Sequence, residues 1–496
     1  MKDKKSTLFF RFSRNFLGQK RHFWLVVSGT VYLVVLICRI WGAHRFLHYE
    51  ESVLVGSTRS ETFFAVLNDN SYGSIVQRAT VEFSAWFRLA ITPNLLVGSS
   101  ILIWLSCTMF ILRALFQNGS GNLPAFFGPL ALCLLPLPDG AFMGLVSNVG
   151  FPIGVLVVTL VIVSKSSANV RDRVVEFALL ITAAASTPTA LVALPILLTW
   201  LVLNIGDQWI NIDRLLAIIL GASILLLLYL VQEPTMTYLE DWEPTETYER
   251  EVLSRLTESG SFEVRARASV GLGELIKNLP GSIRFVVTQM YPEPWASRAI
   301  LETQGLAKLM QVVVPVFLVV LLVLLITRVH KSPVDRSIIM LANGLFFGSI
   351  VSVLVQHVLV GQLTLRQYLF LPVTMFWMGI LVLLGGALAS RSRTALLLLA
   401  PFIVCFALAV WQNFRDPFQE NPRQGGMGRY ASHEIWRPAL DVARNKCQDM
   451  SDKAFVVVTQ VDPNDPTIKR LIQSSGLKLA WFDHPFIARC DVIKKG

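Results

Sequence analysis

The stretch FWLVVSGTVYLVVLICRIWGA, residues Phe23 to Ala43, decides the fold. It carries a single charge, Arg39. A hydrocarbon core about 30 Å thick takes roughly 20 residues of helix to cross, so this stretch has spanning length. Lipid offers no partner to backbone N–H and C=O groups, and a crossing segment must close its hydrogen bonds internally as a helix. Ser337 to Val360 and Tyr368 to Ala389 repeat the pattern. The chain therefore reads as an α-helical polytopic membrane protein.

Composition agrees. Of 496 residues 53% are hydrophobic and 16% charged, where a soluble domain carries about a quarter charged. The formal net charge of +10 would suggest nucleic acid in a soluble protein. Here no basic stripe interleaved with aromatics accompanies it, and the bias of Lys and Arg toward cytoplasmic loops accounts for the excess. Nucleic acid is not an expected partner; the lipid bilayer is. Residues 1–22 hold Lys2, Lys4, Lys5, Arg11, Arg14, Lys20 and Arg21 ahead of an apolar run without a small-residue cleavage site. That order predicts an uncleaved signal anchor with a cytoplasmic N-terminus.

Working outward, further spans are expected at Leu95 to Leu112, Leu123 to Leu137, Asn148 to Ser164, Leu215 to Val231, Val312 to Thr327 and Ala395 to Trp411. Val174 to Leu203 is apolar for 30 residues but broken by Ser186, Thr187 and Pro188. A residue before proline is pushed away from helical geometry, so two short helices meeting at the break are expected there. Counting them as two gives about 11 transmembrane helices. Lys165, Arg171 and Arg173, then Arg214, then Arg328, Lys331 and Arg336, then Arg391 and Arg393 all fall on cytoplasmic links in that scheme, and the C-terminus falls outside. One tilted helix over Val174 to Leu203 would reverse everything after it.

The resulting map is a cytoplasmic segment 1–22, a transmembrane domain 23–411 with outer loops 44–94 and 232–311, and an extracytoplasmic region 412–496. The second loop begins acidic and turns amphipathic around Val264 to Asn278, which predicts an interfacial helix. In the tail, the β-branched run Ala454 to Gln460, a turn-rich Val461 to Pro466 and a helix-like Thr467 to Ser474 predict a small α/β appendage. Cys447 and Cys490 are the tail's cysteines, and an oxidising exterior would favour pairing them.

No phosphate-binding glycine loop, paired metal-binding cysteines, HExxH or GxSxG occurs, which takes support from cytoplasmic nucleotide hydrolysis and serine-hydrolase chemistry. Polar candidates cluster at the outer face. Glu50, Glu51 and Glu61 follow the first span, and a carboxylate at the membrane surface can deprotonate a hydroxyl acceptor. Arg366 opens the tenth span in RQYLFLP, where a guanidinium at headgroup depth suits two-pronged phosphate binding beside Tyr368. Arg88, in the amphipathic Glu82 to Ile91, offers a second phosphate contact. His357, next to Gln356 near the outer end of the preceding span, is of a kind that faces a cavity. Asn148 lies on a short outer link after Pro138-Asp139-Gly140. Each also has a plainer use, as solvated charge, interfacial anchor, packing histidine or turn.

The carboxylate-bearing first outer loop, the Ser147-Asn148-Val149-Gly150-Phe151 link, the broken Thr187-Pro188 to Pro195 pair and the Arg366 to Pro372 entry together resemble bacterial multi-spanning enzymes of the C-type glycosyltransferase superfamily. The resemblance implies a sugar taken from a polyprenyl-phosphate donor on the outer face of the inner membrane, a first-loop Asp or Glu as base, and a cell-envelope glycan, lipid or protein as acceptor. This chain departs from the commonest pattern, because no Asp-Asp, Asp-Glu or Glu-Asp pair follows the first helix; Glu50-Glu51 is the nearest substitute. Cofactors stay open, a divalent metal included. A surface-polysaccharide polymerase or ligase, a lipid-linked glycan flippase and a scaffold are the competing readings.

Overall fold

The computed structural model describes residues 4–40, 51, 55–56, 58–59, 75–134, 143, 146–163, 170–205, 207–231, 242–244, 246–253, 272–289, 320, 322–324, 327, 334–360, 369–415, 436–459, 469, 473 and 486–495. Helix dominates. Five helical segments among these residues are long and apolar enough to cross a membrane: His22–Ile40, Leu89–Gln117, Gln208–Leu228, Arg336–Val358 and Phe370–Ala389. The chain is an α-helical membrane protein.

In chain order the helices are α1 (Lys4–Ile40), α2 (Ile75–Ala85), α3 (Thr92–Gln117), α4 (Asn122–Leu134), α5 (Gly150–Ile162), α6 (Val170–Ala184), α7 (Ala193–Val202), α8 (Gln208–Val231), α9 (Leu272–Gln289), α10 (Arg336–Val360), α11 (Phe370–Ala389), α12 (Arg393–Arg415), α13 (Trp436–Gln448) and α14 (Cys490–Lys495), with strands β1 (Phe455–Val458) and β2 (Phe486–Arg489) between the last two. Three-residue to five-residue 3-10 turns at Leu89–Ile91, Val146–Val149 and Pro188–Val192 lead into α3, α5 and α7. The expected spans over α1, α3, α8, α10 and α11 fall on helices of crossing length, whereas those at Leu123 to Leu137, Asn148 to Ser164 and Ala395 to Trp411 fall on shorter apolar helices, Asn122–Leu134, Gly150–Ile162 and Arg393–Leu408. Proline sets one of the helix ends, since Pro93 at the start of α3 gives up an N–H that no helical carbonyl could reach.

Helix α11 is the centre of the bundle, with almost every side chain from Phe370 to Ala387 buried. It runs antiparallel to α4 at a separation that only glycine permits: a Cβ on Gly385 would fall 2.5 Å from Pro124 N. Against α10 it is also antiparallel, with Ser349 Oγ donating to Pro372 O at 2.7 Å at one end and Gly386 facing Ile338 at the other. Dispersion contacts of this density hold helices together in lipid, where exclusion from water supplies no force between them.

The broken segment folds back on itself. Thr187 is extended (φ −159°, ψ 131°) ahead of Pro188, and its Oγ1 accepts from Thr189 N. The arms on either side, Val170–Ala184 and Pro188–Val202, meet at a bend of 116°. Helix α8 then lies parallel to α6. Arg173 pairs with Asp213, Glu176 with Arg214 at 2.7 Å, and further along Gly221 faces Ile181 and Ala184. Two parallel neighbours require the chain between them to return to its starting end, and α7 makes that return.

The two ends of the bundle differ. At one, α3, α7 and α11 each close with a left-handed residue (Gly119, Asn204, Arg391) and a carbonyl five residues back accepting the N–H of the next residue, as in Ser392 N to Ala387 O at 3.0 Å. Short links and the Arg113–Asp172, Arg173–Asp213 and Arg214–Glu176 pairs gather there. At the other end lie α2, the Val146–Val149 turn and the C-terminal region. That region is a two-stranded antiparallel sheet, Phe455 opposite Arg489 through Val458 opposite Phe486, packed with α13 and α14. Cys447 and Cys490 form a disulfide with Cα atoms 5.4 Å apart. The helix-like Thr467 to Ser474 and the span at Val312 to Thr327 lie almost wholly outside the described residues.

Candidate functional site

Helix α2 turns its polar side inward. Gln77, Arg78, Val81 and Ser84 are buried, whereas Ile75 and Phe83 are exposed, and Trp86 just beyond the helix is 76% exposed. A helix at a water-facing surface does the opposite. Phe83, Trp86 and Phe87 form an edge-to-face cluster on the exposed side, and Trp86, with an apolar body and a polar N–H, is of the kind enriched where membrane meets water. The inward polar face meets the turn that opens α5.

That turn organises the site. Glu51 is 3% exposed, and its Oε1 accepts the Val146 N–H at 2.7 Å. Asn148, also buried, sits two residues further on in the same turn. At Gly150 the point a Cβ would take lies 3.1 Å from Thr187 Oγ1 and 3.3 Å from Gln77 Nε2. The Thr187 and Thr189 hydroxyls are 2.8 Å apart, and Thr189 Oγ1 donates to Gly150 O at 3.5 Å. Four chain segments thus bring Glu51, Gln77, Asn148 with Gly150, and Thr187 together around one turn at the end of the bundle.

Arg59 fixes the first loop to this end. Its Nη2 donates to Ser84 O at 3.1 Å, Phe87 O at 2.8 Å and Thr92 Oγ1 at 3.1 Å, which satisfies carbonyls where α2 ends. Burial lowers the Arg59 pKa from its ordinary value, although a guanidinium remains charged at any physiological pH.

The C-terminal region covers the site. Trp436, Leu440, Cys447, Val456, Val458, Phe486 and Cys490 share one apolar cluster with Val55, Val81, Leu89, Leu96 and Val146. Trp436 Nε1 donates to Leu89 O at 3.0 Å. The other face of the sheet, Val457 and Ile487, packs on Trp242 and Val252 of the second loop. Described parts of both long loops and of the tail therefore meet at the end that holds Glu51.

Other candidates lie apart from this group. Arg88 is exposed ahead of the Leu89–Ile91 turn and makes no side-chain cap to it. His357 is buried under α9, with Nδ1 2.8 Å from Ser282 Oγ and Nε2 2.8 Å from Leu275 O. Because a carbonyl only accepts, Nε2 carries a proton, and the two ring nitrogens together hold α9 against α10. Glu50, Glu61, Arg366 and Tyr368 lie outside the described residues. Among the described residues no group of three or more His, Cys, Asp or Glu could hold a metal ion.

Gln77, Arg78, Arg59 and Thr187 were not among the residues expected to act here. The inverted α2 offered a signal: Gln77, Arg78, Val81 and Ser84 recur at helical spacing, yet periodicity alone does not say which side faces protein when the surroundings are lipid. No protein-family model, no curated protein and no solved structure matches this chain.

Proposed function

We propose that this chain is a membrane glycosyltransferase that takes a sugar from a polyprenyl-phosphate donor and passes it to a cell-envelope glycan, lipid or protein acceptor, with Glu51 as base. The observation that carries the reading is the burial of Glu51 at the meeting point of the first loop, the Val146–Val149 turn and α2, with its carboxylate oriented by a backbone N–H. A carboxylate held this way can take the proton of an acceptor hydroxyl as it attacks the anomeric carbon, while the phosphate leaves with the bonding electrons. Arg366, four residues before α11 in the chain, and Tyr368 are the proposed donor-phosphate contacts.

The same reading takes eleven crossings in the bacterial inner membrane with the loop end outside. The return of α7 between parallel α6 and α8 supports the count. The Cys447–Cys490 bridge supports the orientation, because disulfides persist in oxidising compartments.

Glu51→Gln tests the base. The amide oxygen can still accept from Val146 N–H, so the position keeps its geometry and loses its proton acceptor. Transfer of labelled sugar from a polyprenyl-phosphate donor by the purified protein should fall about 10²-fold to 10⁴-fold. A wild-type rate in that variant removes the base assignment. Failure of the unaltered protein to use any polyprenyl-phosphate sugar removes the reading, and joining of preassembled oligosaccharides would identify a polymerase instead.

A further inference from the structure

The side of α2 turned away from the Glu51 group is an apolar stripe. Ile75, Ala79 and Phe83 follow one another at four-residue intervals and are all exposed, and Trp86 and Phe87 carry the stripe past the helix end. The opposite side, with Gln77, Arg78 and Ser84, is the buried one, and α2 packs on α3 and the Val146–Val149 turn. An exposed patch of large aromatic side chains marks a surface that something else covers. Its position along the chain says what.

Leu89, two residues after Phe87, opens the apolar segment Leu89–Gln117. Its 29 residues measure about 43 Å at 1.5 Å each, the thickness of a bilayer counted with both headgroup layers. Arg88, the residue just ahead of that segment, therefore stands at headgroup depth. At the same end of the bundle α9 repeats the arrangement: Ile276 and Ile283 are exposed on a helix docked to His357, one residue before the Arg336–Val358 segment ends.

Arg88 supplies the polar half of the surface. It is exposed, and among the described residues no hydrogen bond or ion pair holds its guanidinium. A planar guanidinium suits a phosphate, with two parallel N–H donors for two oxygens. Beside it the rings of Phe83, Trp86 and Phe87 lie within 5.9 Å of one another in sequence-neighbouring pairs with Phe83. A phospholipid presents both complements at this depth, acyl chains for the rings and a phosphate for the guanidinium. We propose that the exposed face of α2 and Arg88 seat a phospholipid, with its acyl chains against Phe83, Trp86 and Phe87 and its phosphate on Arg88. The inference does not rest on the glycosyltransferase reading.

Benzoylphenylalanine placed at Phe83 of the full-length protein in detergent, and irradiated across a titration of phosphatidylglycerol, reads this surface alone, because the excited ketone inserts into whatever C–H lies against it. Lipid adducts counted by intact-protein mass spectrometry should saturate. Arg88→Gln alters an exposed side chain, so the variant should unfold near the wild-type temperature while the half-saturating phosphatidylglycerol concentration rises about tenfold. Diacylglycerol, which lacks the phosphate, should need about tenfold more than phosphatidylglycerol and be indifferent to Arg88→Gln. The proposal is overturned by the absence of lipid adducts at Phe83, by adducts with a second copy of the chain in their place, by unchanged half-saturation in Arg88→Gln, or by equal half-saturation for the two lipids. Sugar transfer does not enter the readout: a chain that transfers no sugar can still show the lipid seat, and one that transfers sugar can lack it.

Discussion

Replacing Cys447 and Cys490 by serine should loosen the C-terminal region without disturbing the membrane helices. The two cysteines are 43 residues apart in sequence and tie α13 to α14. Chain-entropy arguments give about 4 kcal/mol for closing a loop of that size. At about 1.4 kcal/mol per decade this is roughly a thousandfold change in the equilibrium between closed and open tail. Hydrogen exchange read by mass spectrometry gives the comparison directly. Amides of β1 and β2, and the Cys490 N–H that donates to Ala454 O at 2.8 Å, should exchange about 10³-fold faster in the double variant. Those of α11, buried on all sides, should keep their wild-type rates. Peptides containing Val146 should follow the tail, because Val146 shares its apolar cluster. A tail that exchanges within tenfold of wild type would refute the stabilising role, as would free thiols at both positions in the purified protein.

Two further outcomes follow from particular contacts. Gly221→Ala would place a Cβ 2.5 Å from Ile181 O and 2.7 Å from Ala184 Cβ; overpacking of about 1 to 3 kcal/mol should outweigh the helix-propensity gain of about 1 kcal/mol and lower Tm, whereas Gly98→Ala, with nothing within 4 Å, should raise it. A higher Tm for Gly221→Ala would show that α6 and α8 are not in contact there. Lys494, by hydrogen bond and charge, holds the Asp452 carboxyl below its ordinary 3.8. A depressed folded pKa means the pair's contribution is present above the unfolded value and lost as pH falls through the folded one; tail stability should drop on that acid limb, and Asp452→Asn should flatten it.

How far the sequence could be read varies by element. Span-length runs announce the membrane helices because lipid imposes length and internal hydrogen bonding on every crossing. Ser186-Thr187-Pro188 announces the break, and Ala454 to Gln460 announces β1. Hydropathy does not separate α11 from a lipid-facing span: Phe370 to Ala389 would be equally apolar in either place, and only packing against Pro124, Ser349 and Phe151 makes it the centre. The site was half legible. Glu51 and Asn148 could be named from their places after a span and on a short link, but the Glu51 bond to Val146 joins positions 95 residues apart. Nothing local to either stretch encodes that approach. Gln356 and His357 fit a cavity-facing expectation by type, yet the His357 ring is bonded to Ser282 and Leu275 O, a pairing that depends on where α9 docks.

The bond from Trp436 to Leu89 reaches back 347 residues. During synthesis the first loop and the Val146–Val149 turn leave the ribosome long before the segment that will cover them. The membrane helices can all be in place while this end of the molecule still lies open, and the cover closes only after the last strand and Cys490 have arrived. Arrival of β2 and Cys490 is thus the event that seals the Glu51 site, and a nascent or truncated polypeptide ending after α12 would hold the bundle with its loop end uncapped.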